Sequence, residues 1–147
     1  MAEALAAFGL ACNVMQVIGC AIDICRAYHV MSEKGSVDPM LASKSDSLRV
    51  LSDDLVNSIN DGLKNLHHSA QDRKRYEELG KIAKNCQEIS EALLQELLKI
   101  VPRSQSPFHK ATTSVKVFWH GSKISRLEKE MKSCEDTMTS QIMVHLL

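Results

Sequence analysis

From Ala4 to Ile22 the chain carries no charged residue, a run about long enough to cross a bilayer as a helix. It lies within a longer apolar stretch, Ala2 to Met31, in which Glu3 precedes the run and Arg26 is the first basic residue. Wound at about 100° per residue, Ala2, Ala6, Gly9, Asn13, Gln16, Cys20 and Asp23 fall in one narrow seam at spacings of four and three. Nearly everything outside that seam is Leu, Phe, Val, Ile, Met, Ala or Cys. A helix apolar around most of its circumference is either the centre of a bundle or a segment that spends time in lipid. Its small residues permit close helix approach in either setting, and composition alone favours the core helix.

The rest of the chain supplies partners for such a helix. After Met31, Gly35 offers a C-terminal cap and Asp38-Pro39 an N-terminal start. A second helix is expected from Pro39 to His68, with Leu48, Leu51, Leu55, Ile59, Leu63 and Leu66 as its apolar stripe. A third is expected from Asp72 to Val101, with Tyr76, Leu79, Ile82, Cys86, Ile89, Leu93, Leu97 and Ile100 facing inward, ending before Pro102. PRSQSP reads as a loop. A short helical piece over Phe108–His120 follows, then a break at Gly121-Ser122 and a last helix from Lys123 to Leu147 carrying Ile124, Leu127, Met131, Cys134, Met138 and Ile142. Strand-type alternation is scarce and aromatic content is 4%. The expected fold is all-α, a single domain over 1–147: a bundle of four long helices plus one short helix, with the N-terminal helix central.

Eighteen basic and eighteen acidic residues cancel, so no global field points to nucleic acid. Five cysteines, an odd number and mostly on apolar stripes, read as free thiols of a reducing, cytoplasmic compartment. No phosphate-binding loop, dinucleotide fingerprint, nucleophile elbow, H-E-x-x-H, Cys-x-x-Cys or EF-hand loop is present. Cys20 and Cys25 diverge around a helix, as do the adjacent His67 and His68, so neither pair forms a metal site. The expectation is a non-enzymatic protein with no catalytic residue, no metal and no cofactor.

One local charge excess stands out. Lys110, Lys116, Lys123, Arg126, Lys129 and Lys132 face only Glu128 and Glu130, interleaved with Val115, Val117, Phe118 and Trp119. Lys110, Lys116, Trp119, Lys123 and Arg126 are candidate contacts for anionic lipid headgroups, with Trp119 suited to the interface and each cation adding about 1 kcal/mol. The plainer reading is a solvated face whose Trp119 anchors the short helix on the bundle.

The opening EALAAFGLACNVMQVIGCAIDICRAY resembles the N-terminal signature of HeLo-like domains, found at the front of fungal STAND proteins, the NOD-like receptors with NACHT or NB-ARC domains, and of related ankyrin-repeat proteins. The resemblance continues through SLRVLSDDLVNSIND and returns in VKVFWHGSKISRLEKEMKSCEDTMTSQIMVHLL, so it covers almost the whole chain through loose apolar patterns. It implies a cell-death or immune signalling effector, as in heterokaryon incompatibility, whose oligomerisation frees the N-terminal helix to target or permeabilise the plasma membrane. By position, Leu5, Phe8, Leu10, Val14, Val17 and Ile18 would be the lipid-facing or core-facing side chains of the membrane-targeting helix. The implied partners are further copies of the chain, anionic membrane lipids and a downstream nucleotide-binding or ankyrin domain, making these residues the N-terminal module of a longer protein. The implied location is cytoplasmic, with relocation to the plasma membrane on activation. Asn13, Gln16 and Asp23 depart from a purely apolar helix and offer bonds that would keep it in the bundle. A helical adaptor that self-associates or recruits a partner, without membrane activity, is the alternative.

Overall fold

The computed structural model describes residues 2–34, 40–64, 70–100 and 107–145, and the side chains of 8–31, 33, 40–60, 73–74, 76–99 and 121–144. Four helices account for these residues: α1 (Ala2–Lys34), α2 (Leu41–Lys64), α3 (Ala70–Ile100) and α4 (Pro107–His145). No strand occurs among the described residues.

Residue pairings fix the helix directions. Asn13 meets Ser58 while Cys20 meets Lys44, so α1 and α2 run antiparallel. Asn85 meets Cys134 while Glu96 meets Lys123, so α3 and α4 do likewise. Tyr76 reaches back to Ser58 across the α2–α3 pair. The result is an up-down-up-down bundle. α1 packs against all three other helices and so does α3, whereas α2 and α4 do not meet among the described residues. The cross-section is therefore a rhombus with α1 and α3 on its short diagonal, and the N-terminal helix shares the centre with α3.

The core follows from this arrangement. α1 contributes Leu10, Val14, Val17, Ile18, Ile24 and Tyr28, all at 2% exposure or less. Leu41, Leu48 and Leu55 come from α2, Leu93 and Leu97 from α3, and Ile124, Met131 and Met138 from α4. Burying each such side chain contributes about 1.5–3 kcal/mol before entropy is charged against it. The described members of the inward stripes expected for α2, α3 and α4 are buried or packed against the core, while Leu66 and the side chains of Leu63 and Ile100 lie outside the described residues.

Several boundaries differ from the sequence expectation. α1 runs three residues past Met31, and α3 starts at Ala70, ahead of Asp72. α2 starts at Leu41 and ends at Lys64; the expected caps at Gly35 and Asp38-Pro39, and His67 and His68, lie outside the described residues. The separate short helix does not form, because Phe108–His120 and the last helix are one element, α4. Pro107 opens it, a position where the missing N–H costs nothing. Gly121 does not break it: its φ lies outside the left-handed region, and an added Cβ would sit 3.7 Å from the Tyr28 Oη. That is ordinary contact, so the glycine is a tolerated weak point rather than a cap.

Two expectations follow for stability. Gly121→Ala gains helix propensity and makes no clash, so it should raise the unfolding free energy by about 0.4–1 kcal/mol; a loss in urea titration would show that α4 is broken there. Ile18→Ala, at the centre, should cost about 2–5 kcal/mol in the same titration.

Candidate functional site

The candidate functional feature is α1. Phe8–Met31 is long and apolar enough to cross a membrane, by length and composition, and half of that segment is buried inside the bundle. The same test is passed by the core helix of a bundle, so the geometry around α1 carries more information than its hydropathy.

The predicted membrane-targeting residues divide sharply. Leu10, Val14, Val17 and Ile18 are fully inside the core, while Phe8 is 53% exposed near the start of α1. The side chain of Leu5 lies outside the described residues. Facing solvent are Gly9, Cys12, Gln16, Gly19, Asp23, Arg26, Val30 and Glu33, at spacings of three and four. From Phe8 to Gly19 that outward side is uncharged, although it is wet.

The expected polar seam does only part of its assigned work. Asn13 Nδ2 donates to Ser58 Oγ at 3.0 Å and the Cys20 thiol points at the Lys44 carbonyl at 3.8 Å, both half-buried against α2. Gln16 and Asp23 face solvent instead. A helix turns 100° per residue, so a seam wide enough for five described positions straddles the edge of an interface and cannot lie wholly within it.

The main polar tie to α4 was not foreseen. His29 Nε2 lies 2.7 Å from Glu128 Oε2, and Lys132 Nζ lies 3.2 Å from Glu128 Oε1. A carboxylate only accepts, so Nε2 carries the hydrogen. Burial pushes the Glu128 carboxyl up, but hydrogen bonds and charge from His29 and Lys132 outweigh this and hold it below the usual range. The signal was present in the sequence as His29 four residues after Cys25, but nothing local pairs it with a residue on another helix.

The predicted headgroup contacts are placed as follows. Lys110, Lys116 and Trp119 lie on the part of α4 whose side chains are outside the described residues. Arg126 is exposed. Lys123 Nζ lies 3.5 Å from Glu96 Oε1, which Lys99 also approaches at 3.3 Å. Glu96 is a carboxylate at 7% exposure between Leu93 and Leu97. It also faces Tyr28, whose hydroxyl is pushed up by burial and then by this carboxylate. The charge at the inner edge of an otherwise leucine stripe was the sequence signal for Glu96, and it passed unread. Lys123 is therefore engaged within the bundle as well as half exposed to solvent.

The cysteines are free, with Cys25, Cys86 and Cys134 buried and Cys12 exposed. Burial pushes the Cys25 and Cys86 thiols up to about 12, which suits packing and opposes nucleophilic use. Among the described residues no group of three His, Cys, Asp or Glu side chains is placed to hold a metal ion. A shallow groove of about 100 Å³ between α2 and α3 has Ala42, Asp46 and Arg49 on one side and Leu94, Leu97 and Leu98 on the other.

No family model matches the chain, and no curated protein or solved structure matches it.

The α1–α4 tie has a definite pH signature. Glu128 is held below its ordinary value in the fold, so its contribution is complete above about pH 4.5 and is lost as pH falls through the lowered value. Glu128→Gln should cost about 1 kcal/mol in urea unfolding at pH 7, with the gap to wild type shrinking as the pH drops below about 4.5. A gap independent of pH would show that the carboxylate charge is not what holds the contact.

Proposed function

We propose that this chain is a non-enzymatic, HeLo-like effector domain of cell-death or immune signalling, which oligomerises and targets or permeabilises the plasma membrane through α1. One observation supports this most directly. A segment of membrane-spanning length and apolarity forms the inner helix of the bundle, and even its wet side is uncharged from Phe8 to Gly19. A solvent-facing helix surface ordinarily carries charge, as the outward sides of α2, α3 and α4 do through Asp53, Asp54, Lys81, Lys84, Glu88, Lys129 and Lys132. The composition of that side suits a second environment.

On this reading the bundle is the resting form, in the cytoplasm, and clustering of several copies is the trigger. Clustering lets α1 leave while other copies cover the faces it vacates. Anionic lipid is the surface it meets, with Arg126, Lys123 and the basic residues Lys110 and Lys116 as headgroup contacts and Trp119 at the interface. A downstream nucleotide-binding or ankyrin domain is the part that would do the clustering.

The burial of Leu10, Val14, Val17 and Ile18 favours a second reading, a helical adaptor in which α1 never leaves. Because those four residues are core, changing them tests folding and not insertion. Gly9 and Cys12 are the useful positions, being exposed in the bundle yet inside the uncharged run.

Gly9→Glu/Cys12→Glu should leave the bundle folded, while each carboxylate carried into the bilayer costs up to about 2.5–3.5 kcal/mol, the figure for its centre. Clustered wild type should release dye from phosphatidylserine-containing vesicles, and the double variant should release at least about tenfold less at equal helical content. Equal leakage from the two, or none from clustered wild type, rejects the membrane reading and leaves the adaptor.

A further inference from the structure

The outward side of α1 is self-complementary. Gln16, Gly19, Asp23, Arg26, Val30 and Glu33 are all exposed, and their three-four spacing puts them on one face of a single helix. In the middle of that face stand one acid and one base, three residues apart. Placing a two-fold axis midway between Asp23 and Arg26 and laying a second α1 antiparallel across it brings Asp23 opposite the partner's Arg26. The same operation brings Arg26 opposite the partner's Asp23, so two ion pairs form from one.

The next positions outward agree with that register. Gly19 falls opposite the partner's Val30. Val30 is an apolar side chain 48% exposed, and nothing lies within 4 Å of where a Cβ would stand on Gly19. A bare valine thus meets an open notch. One turn further, Gln16 falls opposite the partner's Glu33, where an amide N–H₂ can donate to a carboxylate. A parallel pairing places Asp23 against the partner's Asp23 and sets like charges together, so the complementarity exists only for the antiparallel, two-fold arrangement.

We propose that two copies of this chain associate through the outward face of α1 from Gln16 to Glu33, antiparallel about a two-fold axis between Asp23 and Arg26, with reciprocal Asp23–Arg26 ion pairs and Val30 seated over the partner's Gly19. The interface uses the side of α1 that faces away from the core, so it forms with the bundle closed and requires no lipid. It is independent of the membrane reading, and either can fail without the other. Lys44 on α2 touches the flank of this face through its backbone carbonyl at Cys20, whose thiol feels the charges of both Asp23 and Lys44, and this leaves the sign of the pairing unchanged.

Charge exchange tests the geometry directly, with sedimentation velocity over a concentration series in lipid-free buffer. Wild type should move from the 16.4 kDa chain mass towards twice that mass as concentration rises, and raised salt should weaken the association. Asp23→Arg places two cations opposite the partner's two and should weaken dimerisation at least about tenfold. The exchanged variant Asp23→Arg/Arg26→Asp rebuilds both pairs in reverse and should return to within about threefold of wild type. Gly19→Lys fills the notch and should abolish the dimer; it replaces a helix-weakening glycine at an open position, so loss of folding does not account for the result. A wild type that stays monomeric throughout, an exchanged variant no tighter than Asp23→Arg, or a Gly19→Lys chain that still dimerises would each overturn the proposal.

Discussion

A helix with apolar side chains around most of its circumference must be covered from several sides, and the rest of this bundle is arranged to do that. α1 needs three neighbours, which is why the cross-section closes into a rhombus with α1 and α3 on the short diagonal. Eight of its side chains, Leu10, Val14, Val17, Ile18, Ile22, Ile24, Tyr28 and Met31, are buried. At about 1.5–3 kcal/mol each, this one helix supplies roughly 12–24 kcal/mol of gross hydrophobic stabilisation, against the entropy of ordering the chain. The polar ties are small beside that figure. Asn13 to Ser58 and His29 to Glu128 are worth about 1 kcal/mol apiece, so they set the register and orientation of α1 rather than hold it in place.

This balance bears on how α1 could exchange the core for lipid. Lipid tails are about as apolar as leucine side chains, so the helix itself gains or loses little hydrophobic energy in the exchange. The cost falls on what it leaves. Leu48, Leu55, Leu93, Leu97, Ile124 and Met131 would face water where they now face one another and α1. A lone bundle has nothing to cover those faces, whereas neighbouring copies do. Clustering is thus a physical requirement of the proposed release and not an added assumption.

The architecture was largely legible in the sequence, and the reason is periodicity. Leu48, Leu51 and Leu55 on α2, or Ile124, Leu127, Met131, Cys134 and Met138 on α4, repeat at three and four residues, and a pattern set by helix geometry reads directly as a buried face. What failed was punctuation. Gly121-Ser122 looks like a helix end, but a glycine ends a helix only where the backbone turns left-handed, and here continuing past Tyr28 keeps α4 regular. The site was less legible because its ties join residues far apart in the chain: His29 with Glu128, Glu96 with Lys123, Asn13 with Ser58. Each looks like an ordinary surface or stray polar residue until packing brings the partner to it. That Phe8 stays wet while Leu10, Val14, Val17 and Ile18 are core was not legible for a related reason, since hydropathy does not say which side of a helix is wet.

That last distinction separates two kinds of evidence about α1. Residues on its inner side are constrained by the core whatever the protein does, so their apolarity is explained once the bundle is. Residues on its outer side are under no such constraint, and a soluble helix in that position ordinarily carries charge along its wet face. Here the outer side is Phe8, Gly9, Cys12, Gln16 and Gly19 before the first charge, and then Asp23 and Arg26 spaced for reciprocal pairing, with Glu33 beyond them. Packing inside one chain accounts for none of these choices. On the proposed readings, the part of α1 that solvent sees, rather than the part that makes it hydrophobic, is the informative one.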